Sequence, residues 1–222
     1  MMTNLFSVFD PSTPYFMSSN WVSLFIFLSV TPVLMWLSPY RTGHVFVAIY
    51  NYVLSEFKPL VPKLAYTLIM PLTFFIFIAA NNLIGLLPYV FTTTSQLTLT
   101  MSLAVPIWLA LMMYGWLNNT SNLLVHLIPQ GTPTLLMPFM VVIETISNLI
   151  RPLTLAVRLT ANMVAGHLLI VLLSSANPAP LHLTPILFAS NLTLLALELA
   201  VAFIQAYVLS VLATLYMAEF TN

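Results

Sequence analysis

The chain has 222 residues, of which 60% are hydrophobic and only 5% are charged, and its mean hydropathy is +1.02. Soluble domains average about 25% charged residues, so this composition excludes a water-exposed globular protein and indicates an integral membrane protein. The apolar residues form continuous runs, which favours helices over a β-barrel. The lack of cysteine excludes disulfides and thiolate chemistry, and the formal net charge of zero suggests no nucleic-acid partner.

The N-terminal part of the chain predicts one membrane span and then a helix of different character. A bilayer core about 30 Å thick requires roughly 20 apolar residues per perpendicular helix, and residues 21–37 form such a run, with Pro32 as a kink. Residues 42–58 instead separate apolar and polar side chains onto two helical faces, which is typical of a helix in the membrane interface. The apolar face comprises Phe46, Tyr50, Val53, Leu54 and Phe57, and the polar face comprises His44, Asn51, Ser55 and Lys58.

Two further spans are predicted in the middle of the chain. Residues 66–90 form the first, which contains the sequence NNLIGLLP, and residues 97–117 form the second. Residues 118–133 are polar enough to be a connection.

The two segments that follow are unusually long. Residues 134–175 stay apolar despite Pro138 and Pro152, and after a turn at ANPAPLHLTP (176–185) the chain is apolar again to about Glu219. A 40-residue helix would be about 60 Å long at 1.5 Å per residue. Each segment is therefore either two broken helices or one helix tilted beyond the usual limit of about 40°, and composition alone does not choose between them.

The basic residues predict the orientation in the membrane. Arg41, Lys58 and Lys63 all lie between the first two spans, so the positive-inside rule puts that loop on the cytoplasmic or matrix side. The N-terminus is then outside and the C-terminus inside. The opening sequence MMTNLFSVFDPST has no basic region ahead of an apolar core, so we expect neither a signal peptide nor a transit peptide.

The few polar residues of the first long segment repeat at helical intervals. Glu144, Arg151 and Arg158 recur every seven residues, and Asn148 and Asn162 complete the same helical face. Polar side chains within membrane helices face protein or water rather than lipid. This stripe therefore predicts a functional or interhelical surface.

The second long segment repeats the pattern, with Asn191, Glu198 and Gln205 again seven residues apart. Depth counted from the shared turn orders the ionisable groups of both segments by spacing alone. His167 and Glu198, termed the outer pair, are shallowest; Arg158 and Gln205 come next; Glu144 and Glu219, termed the inner pair, are deepest. Two sets of titratable groups thus flank one fixed cation.

Each of these residues also has a structural interpretation. Arg151 is a candidate structural partner of Glu144, Glu219 is a candidate interfacial anchor, and a single histidine such as His167 is often only a satisfied polar residue. Arg158 differs, because a mid-membrane arginine costs several kcal/mol, about 2.5–3.5 by insertion scales, and marks a function by default. The sequence contains no phosphate loop, metal-ligand cluster or nucleophile–base arrangement, so we expect no metal, no cofactor and no catalysis by the chain alone.

Three stretches together resemble the a subunit of F-type ATP synthases in its short mitochondrial form. They are NNLIGLLP (81–88), RPLTLAVRLTANMVAGH (151–167) and LELAVAFIQAYV (197–208), and the resemblance runs through nearly the whole chain. It implies one all-α membrane domain over residues 1–222. Its parts are an N-terminal span and interfacial helix (1–65), two spans (66–117) and a hairpin of long, strongly tilted helices (134–219) beside a rotating c-ring.

The resemblance also implies a role for each ionisable residue. His167 and Glu198 match the half-channel of the intermembrane space, Glu144 and Glu219 match the matrix half-channel, and Arg158 matches the essential arginine. Bacterial members usually have an acid in place of His167 and a histidine in place of Glu198, which favours the mitochondrial branch. The supporting polar residues are Asn148, Arg151, Asn162, Asn191 and Gln205.

The function so implied is a proton-conducting stator subunit that couples proton flow to rotation and ATP synthesis. Its partners are the c-ring, other membrane and peripheral-stalk subunits, protons and lipid, with the N-terminus in the intermembrane space and the C-terminus in the matrix of mitochondria. Arg158 favours ionised c-subunit carboxylates and does not relay protons, because arginine stays protonated. A secondary transporter or proton channel, which typically has repeated halves, and a structural subunit of a respiratory complex are the alternatives.

Overall fold

The computed structural model describes residues 5–12, 20–27, 41–60, 68–118, 120, 124, 125, 127, 128, 133, 136–175 and 184–221. Regular structure in these ranges is helical throughout, which confirms the predicted all-α class. The α-helices are α1 (Arg41–Phe57), α2 (Ile69–Gly85), α3 (Leu97–Asn118), α4 (Met137–Ser175) and α5 (Thr184–Thr221), with 3₁₀ turns at Leu5–Phe9, Asn20–Phe25 and Thr93–Ser95. Within these ranges, α3, α4 and α5 are long and apolar enough to cross a membrane.

The two long segments are each one unbroken helix. Helix α4 has 39 residues and α5 has 38, which corresponds to about 58 Å at 1.5 Å per residue. Pro152 lies inside α4 and is buried without ending it. The structure therefore decides against two broken helices in either segment. A helix of this length fits a hydrocarbon core about 30 Å thick only when it is tilted. This tilt stays a prediction.

Helix α2 is shorter than the span predicted over residues 66–90. It has 17 residues and ends at Gly85, because the residue before Pro88 is sterically disfavoured in the helical conformation. Tyr89, directly after this proline, has a positive φ of 67° and completes the turn away from the helix. Helix α3 agrees with the prediction over residues 97–117 to within one residue.

The predicted N-terminal span lies only partly within the described residues. Its first residues form the 3₁₀ turn Asn20–Phe25, and residues 28–37 fall outside the description. Phe27 packs its ring edge against Phe77 of α2, with ring centroids 5.1 Å apart. Gln96 donates a hydrogen bond of 2.6 Å from Nε2 to the carbonyl oxygen of Phe9. This bond links the N-terminal segment to the start of α3.

Helix α1 has the polar face that its sequence predicted, whereas its apolar face is only partly buried, since Tyr50 is exposed. The polar side chains His44, Asn51, Ser55 and Lys58 are exposed. On the apolar face, Val53 and Phe57 are buried against Leu72 of α2 and Met217 of α5. The ring of Phe57 also stacks on Tyr207, with centroids 6.4 Å apart. Helix α1 therefore packs against the C-terminal half of α5 and the start of α2.

Small side chains let the main helices approach closely. Helix α5 packs against α2 and α4, and α3 packs against α4. Ala202 and Ala206 of α5 and Ala156 of α4 are almost completely buried, and small residues at membrane-helix interfaces allow backbones to come together. The buried face of α5 runs along one stripe: Glu198, Ala202, Ala206, Leu209, Ala213 and Met217.

Candidate functional site

Helices α4 and α5 contact one another at several levels along their length. Gly166 of α4 lies against Glu198 of α5, and Arg158 shares a groove with Gln205. From the first of these levels to the second, the residue number decreases on α4 (166 to 158) and increases on α5 (198 to 205), so the two helices are antiparallel. The polar residues of one helix therefore meet those of the other at defined levels.

The outer pair lies where the Glu198 side chain of α5 packs against α4 at Gly166. The side chain of Glu198 is 8% exposed and occupies the space that a side chain on residue 166 would need. A Cβ atom built on Gly166 would lie 2.7 Å from Cδ and 2.9 Å from Cγ of Glu198. His167, the next residue, is half-buried.

Both members of the outer pair carry buried polar atoms without a hydrogen-bond partner in the described part of the chain. These are Oε1 and Oε2 of Glu198 and Nε2 of His167. A buried polar atom without a partner is costly, and native structures keep few of them outside functional or hydrated sites. The arrangement therefore suits groups that exchange protons with water or with another subunit.

Two residues of this region were not predicted as site residues. Asn82 of α2 is 0% exposed; its Nδ2 donates to the carbonyl oxygen of Ala202 at 3.4 Å, and its Oδ1 is buried without a partner. Thr94, in the 3₁₀ turn that packs against α2 and α4, has a buried Oγ1 in the same condition. The signal for Asn82 was available, because paired asparagines in an apolar helix indicate a polar environment.

Arg158 lies about two helical turns before Gly166 along α4 and is exposed. It lines a shallow groove whose other walls are Leu155, Leu159, Gln205, Val208 and Leu209. Leu159 and Leu209 belong to a buried cluster shared with α2. Within the described ranges, no hydrogen bond or ion pair joins the Arg158 guanidinium to another residue. A permanent charge without a partner among the described residues is a costly feature of a membrane helix.

Towards the start of α4, Glu144 is paired with a cation. Nη2 of Arg151 lies 3.4 Å from Oε1 of Glu144, and the two side chains are 36% and 34% exposed. The Arg151 guanidinium also lies over the Tyr216 ring of α5, 5.7 Å from its centroid. This geometry agrees with the structural interpretation of Arg151.

The remaining predicted residues are placed as follows. Asn148, Asn162 and Gln205 are half-buried, and Asn191 is half-buried with its Oδ1 buried and without a partner. Glu219 belongs to α5, but its side chain lies outside the description, so its pairing with Glu144 stays a prediction. Among the described residues, no three His, Cys, Asp or Glu side chains are grouped to hold a metal ion.

These features define an all-helical membrane protein whose two longest helices carry a buried acid, an exposed arginine and an ion pair at successive levels. The family model of the ATP synthase A chain matches residues 15–218. The chain is 52% identical over 222 residues to ATP synthase subunit a of Drosophila simulans, and 99% of each chain is covered. It is 52% identical over 228 residues to the protein of that name from Anopheles gambiae, and 51% identical over 224 residues to that from Locusta migratoria, with 99% of each chain covered again. The chain therefore belongs to the ATP synthase A chain family.

Proposed function

We propose that this chain is the proton-conducting stator subunit of a rotary ATP synthase in the mitochondrial inner membrane. Its family membership and its insect relatives, which are named ATP synthase subunit a, support this function over a secondary transporter or a structural subunit of a respiratory complex. The chain itself breaks no covalent bond. It carries protons to and from a c-ring, and the c-ring drives ATP synthesis elsewhere in the complex.

The observation that carries this proposal is Arg158, which is exposed and has no partner among the described residues. A permanent charge within a membrane helix is costly unless it has a partner, and the described part of this chain supplies none. A carboxylate on each passing c subunit is the opposite charge that fits. Arg158 attracts the ionised form of that carboxylate, and the neighbouring amide of Gln205 adds a polar wall to the same groove.

The outer pair delivers protons from the intermembrane space. Glu198 is buried beside α4, and neither of its carboxyl oxygens has a hydrogen-bond partner among the described residues. His167 directly follows Gly166, which Glu198 contacts. A protonated Glu198 gives its proton to an ionised c-subunit carboxylate, and a proton from the water on the outer side restores it. Asn191, seven residues before Glu198 and also carrying a buried free oxygen, extends the polar path along α5 towards that side.

The inner pair removes protons on the matrix side. Glu144 accepts a proton from a c subunit that has completed its rotation, and Glu219 continues the path to water. Nη2 of Arg151 lies 3.4 Å from Oε1 of Glu144 and holds this carboxylate in place on α4. Asn148 and Asn162 lie one helical turn from Arg151 and Arg158 respectively and provide further polar contacts on the same face.

Arg158 separates the two proton paths because its guanidinium stays protonated and does not relay protons. Protons must then travel on the rotating ring. The two helices lie strongly tilted beside this ring, with the N-terminus of the chain in the intermembrane space and its C-terminus in the matrix. The other partners are the remaining membrane and peripheral-stalk subunits of the complex and the lipid bilayer.

The test is to substitute Arg158 in an intact complex and to measure two fluxes in membrane vesicles. Arg158→Ala is expected to abolish ATP synthesis and to let protons leak passively through the membrane sector, because a neutral side chain no longer separates the two paths. Arg158→Lys is expected to be badly impaired, because lysine lacks the planar guanidinium and can lose its proton when desolvated.

Arg41→Ala is the matched control, because Arg41 is also an exposed arginine but lies at the start of α1. It should retain normal synthesis without a leak. Assembled Arg158→Ala complexes that make ATP at a near-normal rate would overturn the proposed function.

A further inference from the structure

Glycine is an unfavourable residue at position 166, because this position lies in the interior of the 39-residue helix α4. Alanine is a better helix former than glycine at such positions. A glycine there is explained when something occupies the space that a side chain would fill. That space is filled by Glu198 of α5.

The overlap involves only the end of the Glu198 side chain. A Cβ atom on residue 166 would come within 3.0 Å of three atoms, Cγ, Cδ and Oε1 of Glu198, and none of these is a backbone atom. Separations this short do not occur between real Cβ atoms and their neighbours. A methyl group would therefore turn the flexible side chain of Glu198 aside, while the backbones of α4 and α5 could keep their distance.

Gly85 provides a contrast within the same molecule. A Cβ atom at Gly85 would lie 3.0 Å from Cγ2, 3.6 Å from Cβ and 3.7 Å from Cα of Thr92. This neighbour is β-branched and buried in a turn, and the contact involves no ionisable group. Gly85 thus serves the packing of α2 against the turn, whereas Gly166 faces a carboxyl group.

The carboxyl group of Glu198 is held by shape and not by hydrogen bonds. Both of its oxygens are buried without a partner in the described part of the chain, and the backbone groups of α4 at this level are already used within the helix. A proton carrier benefits from this arrangement, because its position is fixed while both oxygens stay free to bind or release a proton.

We propose that Gly166 is a positioning residue, which holds the Glu198 carboxyl group in a slot on α4 next to His167 and thereby sets the geometry of proton transfer to the c-ring. This inference rests on the proposed function and deepens it. It assigns to Gly166 a role in proton transfer that is separable from helix packing.

The experiment combines Gly166→Ala with Glu198→Asp in the intact complex and measures proton-driven ATP synthesis, with assembly checked on native gels. Gly166→Ala alone is expected to reduce synthesis strongly, by up to about 100-fold, since displacement of a reacting group by about 1 Å has effects of that size. Glu198→Asp alone should also lower synthesis. The double variant should be more active than Gly166→Ala alone, because aspartate lacks the Cδ and Oε1 atoms that lie nearest the added methyl group and leaves only Cγ close to it.

Gly85→Ala is the matched control, because it adds the same methyl group at the other close contact. Any loss that it causes should not be relieved by Glu198→Asp. Rescue restricted to Gly166→Ala identifies a positioning role, which a general packing defect would not produce.

The outcomes separate this inference from the proposed function. Normal synthesis in Gly166→Ala, together with loss in Glu198→Leu, would overturn the positioning role and leave the proton path intact. Normal synthesis in Glu198→Leu would overturn the outer proton path itself. A Gly166→Ala chain that fails to assemble with either glutamate or aspartate at position 198 would overturn the claim that the methyl group displaces only a side chain.

Discussion

The outer and inner acids of the hairpin have contrasting environments. Glu198 is 8% exposed and has no hydrogen-bond partner or opposite charge within the described residues. Glu144 is 34% exposed and lies 3.4 Å from the Arg151 guanidinium. One acid is thus buried and unpaired, while the other is partly exposed and paired.

This contrast predicts how each region responds to substitution. A buried carboxyl group depends on the helices packed around it, because no counter-ion among the described residues compensates its burial. A partly exposed ion pair is screened by its surroundings and contributes only about 0–1 kcal/mol to stability. We therefore expect the outer region to be sensitive to small changes of shape and the inner region to tolerate them.

The largest difference is expected from replacing the outer acid. Glu198→Leu should reduce proton-driven ATP synthesis by about 100-fold or more, the scale on which a positioned acid–base group contributes, and should leave assembly intact because leucine suits the buried stripe of α5. Synthesis rates in vesicles and the amount of intact complex on native gels provide the measurement. Normal synthesis in Glu198→Leu would remove Glu198 from the proton path.

The partnership within the outer pair can be tested by exchange. Glu198→His combined with His167→Glu should recover part of the activity lost in Glu198→His, because the same two chemical groups then lie at the same level of the two helices. If the double variant is no better than Glu198→His, the pairing of these two residues is contradicted even though each remains in the path.

A smaller effect is expected where α2 supports the outer region. Asn82→Leu removes the hydrogen bond to the Ala202 carbonyl oxygen, and the loss of a buried hydrogen bond costs about 1–3 kcal/mol. The complex should then dissociate at a lower detergent concentration or a lower temperature, and the rate of ATP synthesis should fall several-fold. Measurement of both quantities distinguishes this variant from Glu198→Leu, in which only synthesis should fall.

Asn81→Leu is the matched control for this prediction. Asn81 is also buried in α2, but its Nδ2 donates to the Phe77 carbonyl oxygen of its own helix at 2.9 Å. Its replacement should affect stability less, because the hydrogen bond that is lost lies within α2 and does not join two helices. Equal effects of the two asparagine substitutions would contradict the role of Asn82 in joining α2 to α5.

The smallest effect is expected from loosening the inner region. Arg151→Gln removes the ion pair with Glu144 and the contact with the Tyr216 ring, which together contribute about 1 kcal/mol when exposed. Assembly should be nearly unchanged, and synthesis should fall by less than about fivefold, the change in an equilibrium that 1 kcal/mol produces. Arg151→Lys should lie between this variant and the unmodified protein. A complete loss of ATP synthesis in Arg151→Gln would contradict the prediction that the inner region tolerates small changes.

Local sequence patterns were sufficient to predict the helices and to select most of the polar residues discussed above. Helix α3 was predicted to within one residue because a long apolar run bounded by polar residues has few other structures. The two faces of α1 and the seven-residue repeats of α4 and α5 follow from helical periodicity, which needs no knowledge of neighbouring helices. The end of α2 was placed too late, since Gly85 and Pro88 were considered part of an apolar run and not as a stop.

Tertiary structure decided which groups meet. The hydrogen bond from Asn82 to Ala202 joins residues 120 positions apart, and the contact of Gly166 with Glu198 depends on the register of two packed helices. Neither distance is encoded in the spacing along one helix, so Asn82 and Thr94 were missed and Gly166 had only been noted as part of a motif. The sequence by itself determined that an acid, an arginine and a second acid follow one another along the hairpin. Their burial, their pairing and the slot that holds Glu198 were decided by packing, because only contact between helices excludes water from one acid and leaves the other exposed.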